Sequence, residues 1–182
     1  MSMLTDRTET DPDEIEREII KVVGSLPKPE WAGWGDWTRR LNGELAEIAK
    51  AHGFQRYAKH LEIDPNDHDH DQGGEWLYDM TWLHKDTGEI QLALESEWSA
   101  DFDHDFTKLL SVKARHRAFI FCHTDVEGQF AQFIKQVCDL PQTQGGDRFL
   151  LIGVDMADHF AHKVIVASGP SYEELRKAQS PY

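Results

Sequence analysis

The chain has 182 residues, with 33 Asp or Glu against 19 Lys or Arg and a formal net charge of −14. This length suits one domain with a single buried core. The anionic balance argues against a broad phosphate-binding surface, because non-specific nucleic-acid affinity comes mainly from Lys and Arg. The longest apolar runs, such as Ala118 to Cys122 and Phe149 to Ile152, fall far short of the roughly 20 residues a membrane span needs. Two cysteines, Cys122 and Cys138, exclude a disulfide framework and suit a reducing compartment.

Residues 1–13 are polar and acidic without periodicity, so a disordered leader is expected there, followed by a single domain over 14–182. The first residues have neither the basic start nor the apolar stretch of a secretory signal, so a cytoplasmic chain is expected. Ile15, Ile19, Ile20 and Val23 recur at helical spacing from Asp13 to Val23, and Gly24 is a plausible stop. Pro27, Pro29, Trp31, Gly33, Trp34, Gly35 and Trp37 make an aromatic loop, more naturally core-filling than ligand-binding. Helical spacing resumes from Trp37 to His52 through Leu41, Leu45, Ile48 and Ala49.

Strand-like runs follow at 54–63, 75–84 and 89–98, then a helix at 103–114 and a strand at 116–122. A helix at 126–139 and strands at 148–155 and 162–167 complete the order, which implies an α/β fold, a mixed sheet covered by helices. Between the first two strands, Asp64 to Gly74 is a loop by composition. Its His68 and His70 are metal-ligating types, but alternating His and Asp in a loop is ordinarily just solvated.

The negative charge is local. Residues 61–105 carry 1 basic and 14 acidic side chains, while the rest of the chain is close to neutral. A local excess of carboxylates is what a hard cation requires. Within this segment, Asp86-Thr87-Gly88 is expected to be a three-residue turn with Gly88 in the left-handed position. If Lys85 faces Glu89, paired positions sum to 174, so Trp76 meets Trp98, Met80 meets Leu94 and Trp82 meets Leu92 on a core face. The same register sets Asp79 opposite Glu95, with Glu97 further along that side. Like charges directly opposed are destabilising, so a bound cation, a raised carboxylate pKa or a facing Lys or Arg is required, unless the carboxylates point away into water.

Tyr78-Asp79, fifteen intervening residues, Glu95-Ser96-Glu97 closing an apolar strand, and a helix starting near Asp103-His104-Asp105-Phe106 together resemble the PD-(D/E)XK nuclease superfamily. The resemblance covers about residues 37–155 and implies a restriction-endonuclease-like αβββαβ core, here with an additional C-terminal helix and strands. It implies Asp79 as the second-motif aspartate, Glu95 and Glu97 as the third motif, and Mg²⁺ or Mn²⁺ as cofactor. The family usually has lysine where Glu97 stands; some members carry a Glu-x-Glu version, and in others the lysine comes from the following helix.

For a helix-borne lysine, Lys108 is nearer the Glu97 end of the strand, whereas Lys113 shares the helix face of Phe106, Leu109 and Leu110. An ordinary surface role fits either, Lys108 as a partner of Asp105 or His104 and Lys113 reaching past the helix end. Glu44 matches a position where many family members place an acidic residue near the metal, and it also reads as a plain exposed helix glutamate.

The expected activity is metal-dependent phosphodiester hydrolysis of nucleic acid, DNA foremost, with a homodimer or a protein partner supplying specificity. The alternative is a catalytically inactive binding module that keeps the nuclease fold, a reading favoured by Glu97 in the lysine position and by the anionic charge. A further alternative is a metal-binding or structural protein that uses the His68 and His70 loop.

Overall fold

The computed structural model describes residues 7–27, 34–58, 77–98, 102–139, 146–155 and 160–167. In chain order these form β1 (Arg7–Glu9), α1 (Glu14–Ser25), α2 (Trp34–Ala51), β2 (Phe54–Ala58), β3 (Met80–His84), β4 (Ile90–Glu97), α3 (Phe102–Ser111), β5 (His116–Cys122), α4 (Val126–Asp139), β6 (Arg148–Val154) and β7 (Phe160–Ala167). The strands make one seven-stranded sheet in the order β1-β7-β6-β5-β4-β3-β2. Strands β2, β3 and β4 form an antiparallel meander; β4, β5 and β6 run parallel; β7 returns antiparallel against β6. The chain is thus α/β, with a mixed sheet flanked by four helices among the described residues.

Parallel strands buried on both faces need apolar residues at nearly every position, and β5 shows this, with all seven of its residues buried. Side chains alternate across the sheet. Leu92, Leu94, Ala118, Ile120, Leu150 and Ile152 pack on one face with Ile19 of α1 and Leu41, Leu45 and Ala49 of α2. Ala93, Phe119, Phe121, Phe149 and Leu151 pack on the other with Phe106 and Leu109 of α3 and Phe130, Phe133 and Val137 of α4. Gly153 allows α4 to approach closely, since a Cβ there would lie 2.3 Å from Val126 Cγ1 and 3.0 Å from Phe121 Cζ.

The hairpin differs from its expected form at one point. Gly88 does take a positive φ of 70°, but His84, not Lys85, pairs with Glu89: the His84 N–H donates to the Glu89 carbonyl at 2.9 Å, and the Gly88 N–H donates to the His84 carbonyl at 2.8 Å. The turn is therefore one residue longer than Asp86-Thr87-Gly88. A bulge on β4 absorbs the difference, because Leu83 pairs with Ile90 while Trp82 pairs with Leu92, leaving Gln91 unopposed. Beyond the bulge the expected partners hold, Met80 with Leu94 and Trp82 with Leu92.

The first residues also differ. Arg7–Glu9 form an edge strand paired with β7, and Asp13 caps α1, so residues 7–13 are not a disordered leader. Two effects do this, one local and one long-range. Asp13 and Glu16 form a reciprocal capping box that satisfies helix N–H groups, and β7 offers an edge whose backbone groups need partners. Helix α1 runs through Gly24 to Ser25 and ends at Leu26 in extended conformation. Most of the aromatic loop, Trp76, and the loop with His68 and His70 lie outside the described residues. No described helix is long and apolar enough to cross a membrane.

Candidate functional site

Glu95 stands near the carboxyl end of β4, on the face shared by Ala93 and covered by α3 and α4. The register that buries Leu92 and Leu94 under α1 and α2 forces Glu95 toward the opposite layer, where it is only 2% exposed. Helix α3 buries Phe102, Phe106, Leu109 and Leu110 against that layer. Between these anchors, it sets Asp105 and Lys108 beside the strand. The Lys108 ammonium lies 2.6 Å from Glu95 Oε1 and 2.8 Å from Asp105 Oδ1. The contact with Oε1 is a charge contact without good hydrogen-bond alignment, and Oε1 has no hydrogen-bond partner among the described residues.

Asp79 precedes β3 and reaches across to the Glu95–Glu97 segment. Its Oδ2 accepts hydrogen bonds from the Ser96 N–H at 2.8 Å and the Ser96 hydroxyl at 2.9 Å. This fixes the Asp79 carboxylate against the residue that separates Glu95 from Glu97. Glu97 is half-buried and meets Asp105 side chain to side chain.

The electrostatics follow from burial and crowding. Burial pushes the Glu95 pKa up to about 7; Lys108 opposes the shift and the negative charge of Asp79 adds to it. Burial disfavours charge on Lys108 as well, but Asp105 and Glu95 outweigh it and hold its pKa above the ordinary lysine value. Burial would also raise Asp105, yet the hydrogen bond from Lys108 and its contact with the Glu97 side chain bring it below the usual carboxylate range. Tyr78 is raised by burial and by the charge of Glu95. A carboxyl titrating near neutrality beside a permanent cation is the kind of environment that marks functional sites.

Of the residues singled out by sequence, Lys108 reaches Glu95, Asp79 is held by the adjoining Ser96 near enough for its charge to act on Glu95, and Glu97 meets Asp105. Glu44 is exposed on α2, across the sheet from Glu95. Lys113 lies past the end of α3 and is exposed. Asp105, expected only as a surface partner of Lys108, joins the cluster, and Tyr78 lies near enough for the Glu95 charge to act on it. Arg117 donates to the Val112 carbonyl at 2.9 and 2.7 Å and to Asp147 at 3.3 Å, which pins the chain as it leaves α3. Its signal was readable, because an arginine inside a buried apolar strand must have a partner.

Mg²⁺ takes carboxylate and carbonyl oxygens; Asp79 and Glu95 are the carboxylates near enough to interact here, but with Glu97 they do not form a group of three converging ligand atoms among the described residues.

A second cluster of ligand-type residues, Asp13, Glu16 and His116, brings its donor atoms within 4.8 Å of one another. Here the cation is already part of the chain. Arg148 donates to Glu16 Oε1 at 2.9 Å and Oε2 at 2.6 Å and stands 3.7 Å from Asp13 Oδ2. His116 sets Nε2 2.7 Å from Asp13 Oδ2 and donates from Nδ1 to the Gln91 carbonyl freed at the bulge, at 3.1 Å. This network clamps α1 to the amino ends of β5 and β6.

No protein-family model, curated protein or solved structure matches this chain.

Proposed function

We propose that this chain is a metal-dependent nuclease of the PD-(D/E)XK type that hydrolyses phosphodiester bonds in nucleic acid, with Mg²⁺ or Mn²⁺ as cofactor. The observation that carries the reading is the meeting of Asp79, Glu95 and Lys108, in which a lysine from α3 reaches the third-motif carboxylate that Glu97 leaves without one. The order α2-β2-β3-β4-α3-β5, an antiparallel meander followed by a strand parallel to β4, supports the restriction-endonuclease-like core that the motifs suggest.

A divalent cation at this site would polarise the scissile phosphate and acidify the attacking water. Asp79 and Glu95 would hold it, Asp79 being fixed in place by Ser96. Lys108 would orient the water or stabilise charge developing on the phosphate, a contribution that grows toward the transition state. Glu97 acts at one remove, through Asp105.

The rival reading is a binding module that keeps the fold without turnover. It is favoured by Glu97 in the lysine position and by the acidity of residues 61–105. Incubating labelled single-stranded and duplex DNA and RNA with Mn²⁺ separates the two. The nuclease reading expects products with the wild-type chain and a loss of about a hundredfold or more in Asp79→Ala and Glu95→Ala. Equal behaviour of all three proteins contradicts it.

A further inference from the structure

We infer that Lys108 is a two-position group: its ammonium bridges Glu95 and Asp105 in the metal-free protein, and it withdraws to Asp105 alone when Asp79 and Glu95 hold a divalent cation. The inference rests on the metal-dependent reading above and assigns Asp105 as a positioning residue for Lys108.

Three features carry it. Lys108 stands against Glu95 Oε1, an atom buried from water and without a hydrogen-bond partner among the described residues. An ammonium and a divalent cation drawn to the same buried carboxylate repel each other, so each weakens the other's hold on it. The carboxylates are fixed while the lysine is not: Ser96 holds Asp79 through two hydrogen bonds and β4 holds Glu95 at 2% exposure. Lys108 is a long flexible side chain at 32% exposure, so it is the member that yields. Its second partner is already in place, because Asp105 sits three residues earlier on the same helix face, 2.8 Å away and 19% exposed. Withdrawal therefore needs side-chain rotation alone, with no movement of α3.

In this arrangement Lys108 acts as a built-in competitor for the cation. It keeps Glu95 from standing as an uncompensated buried charge before loading, and it stays within one side chain's reach of the reacting phosphate afterwards. Asp105 sets the balance between the two positions, since without it the ammonium has only Glu95 to hold.

The test is the structure of the full chain with Mn²⁺, together with calorimetric Mn²⁺ titration of wild type, Lys108→Met and Asp105→Asn. Expected are a Lys108 ammonium still on Asp105 and out of hydrogen-bond reach of Glu95, affinity about tenfold tighter in Lys108→Met, and weaker binding in Asp105→Asn. An ammonium that remains on Glu95 with Mn²⁺ bound overturns the inference, as does unchanged or weaker binding by Lys108→Met. In both of these cases the metal site itself survives. If neither wild type nor Lys108→Met binds Mn²⁺, the metal-dependent reading falls, and this inference with it.

Discussion

Asp79 accepts two hydrogen bonds from Ser96, one from the backbone N–H at 2.8 Å and one from the hydroxyl at 2.9 Å, so the carboxylate that leads β3 is tied to the segment that closes β4. Hydrogen bonds to an ionised group contribute about 1.5–3 kcal/mol each, and relief of the repulsion between Asp79 and Glu95 offsets part of their loss. Asp79→Ala should therefore destabilise the metal-free protein by about 1–2 kcal/mol in urea unfolding. It should also lower the Glu95 pKa, because Asp79 is one of the charges that raises it. A Glu95 titration by ¹³C NMR that does not move in Asp79→Ala would show that the two carboxylates do not interact.

The pH dependence of stability has an unusual sign at Glu95. Its folded pKa of about 7 lies above the ordinary 4.5, so between these values the folded state binds more protons than the unfolded state. The stability it contributes is present below pH 4.5 and is lost as pH rises through 7. Glu95→Gln, which cannot ionise, should therefore be more stable than wild type at pH 8, by on the order of 2–3 kcal/mol. The gap should close as pH falls toward 4.5. Chemical denaturation at several pH values checks this, and a variant less stable than wild type at pH 8 contradicts it.

Asp13 behaves in the opposite way. Burial works to raise its pKa, but the His116 hydrogen bond and the Glu16 backbone N–H outweigh it and hold the carboxyl below its ordinary 3.8. Its contribution is thus present above pH 3.8 and lost as pH falls through the lowered folded value. Asp13→Asn keeps a good cap and removes the charge facing His116 and Arg148, so it should melt below wild type at pH 7 and converge with it in acid. Asp13→Ala should lose about 1 kcal/mol more by removing the cap as well.

Gly153→Ala should destabilise by about 1–3 kcal/mol, because its Cβ would lie 2.3 Å from Val126 Cγ1 and 3.0 Å from Phe121 Cζ, forcing α4 off the sheet. Val126→Ala in the same chain should recover most of that loss. Thermal melts of the single and double variants measure the coupling.

The elements nearest to one another in sequence were the legible ones. Alternation in Met80, Trp82, Leu92 and Leu94 set the hairpin register, and with it the face that Glu95 occupies. The turn was misjudged by one residue, since a bulge at Gln91 has no local signature while the apolar partners on both sides remain unchanged. Proximity and orientation pulled Lys108 and Lys113 apart as alternatives. The structure brings Lys108 to Glu95 because Phe106 and Leu109 bury between sheet and helix, and α3 ends at Ser111, before Lys113. The clamp of Asp13 and Glu16 with His116 and Arg148 was not legible, because it joins positions 103 and 132 residues apart whose types say nothing of pairing. The same distance explains why residues 7–13 read as a loose leader. Apart from the Asp13–Glu16 cap, their partners are long-range.

Whether Asp79 and Glu95 jointly hold a divalent cation, as proposed, is read from Mn²⁺ binding by calorimetry at neutral pH. Saturable binding by the wild-type chain is expected, abolished in both Asp79→Ala and Glu95→Ala while each variant remains folded. Wild-type protein that takes up no Mn²⁺, or variants that bind it as the wild type does, would contradict it.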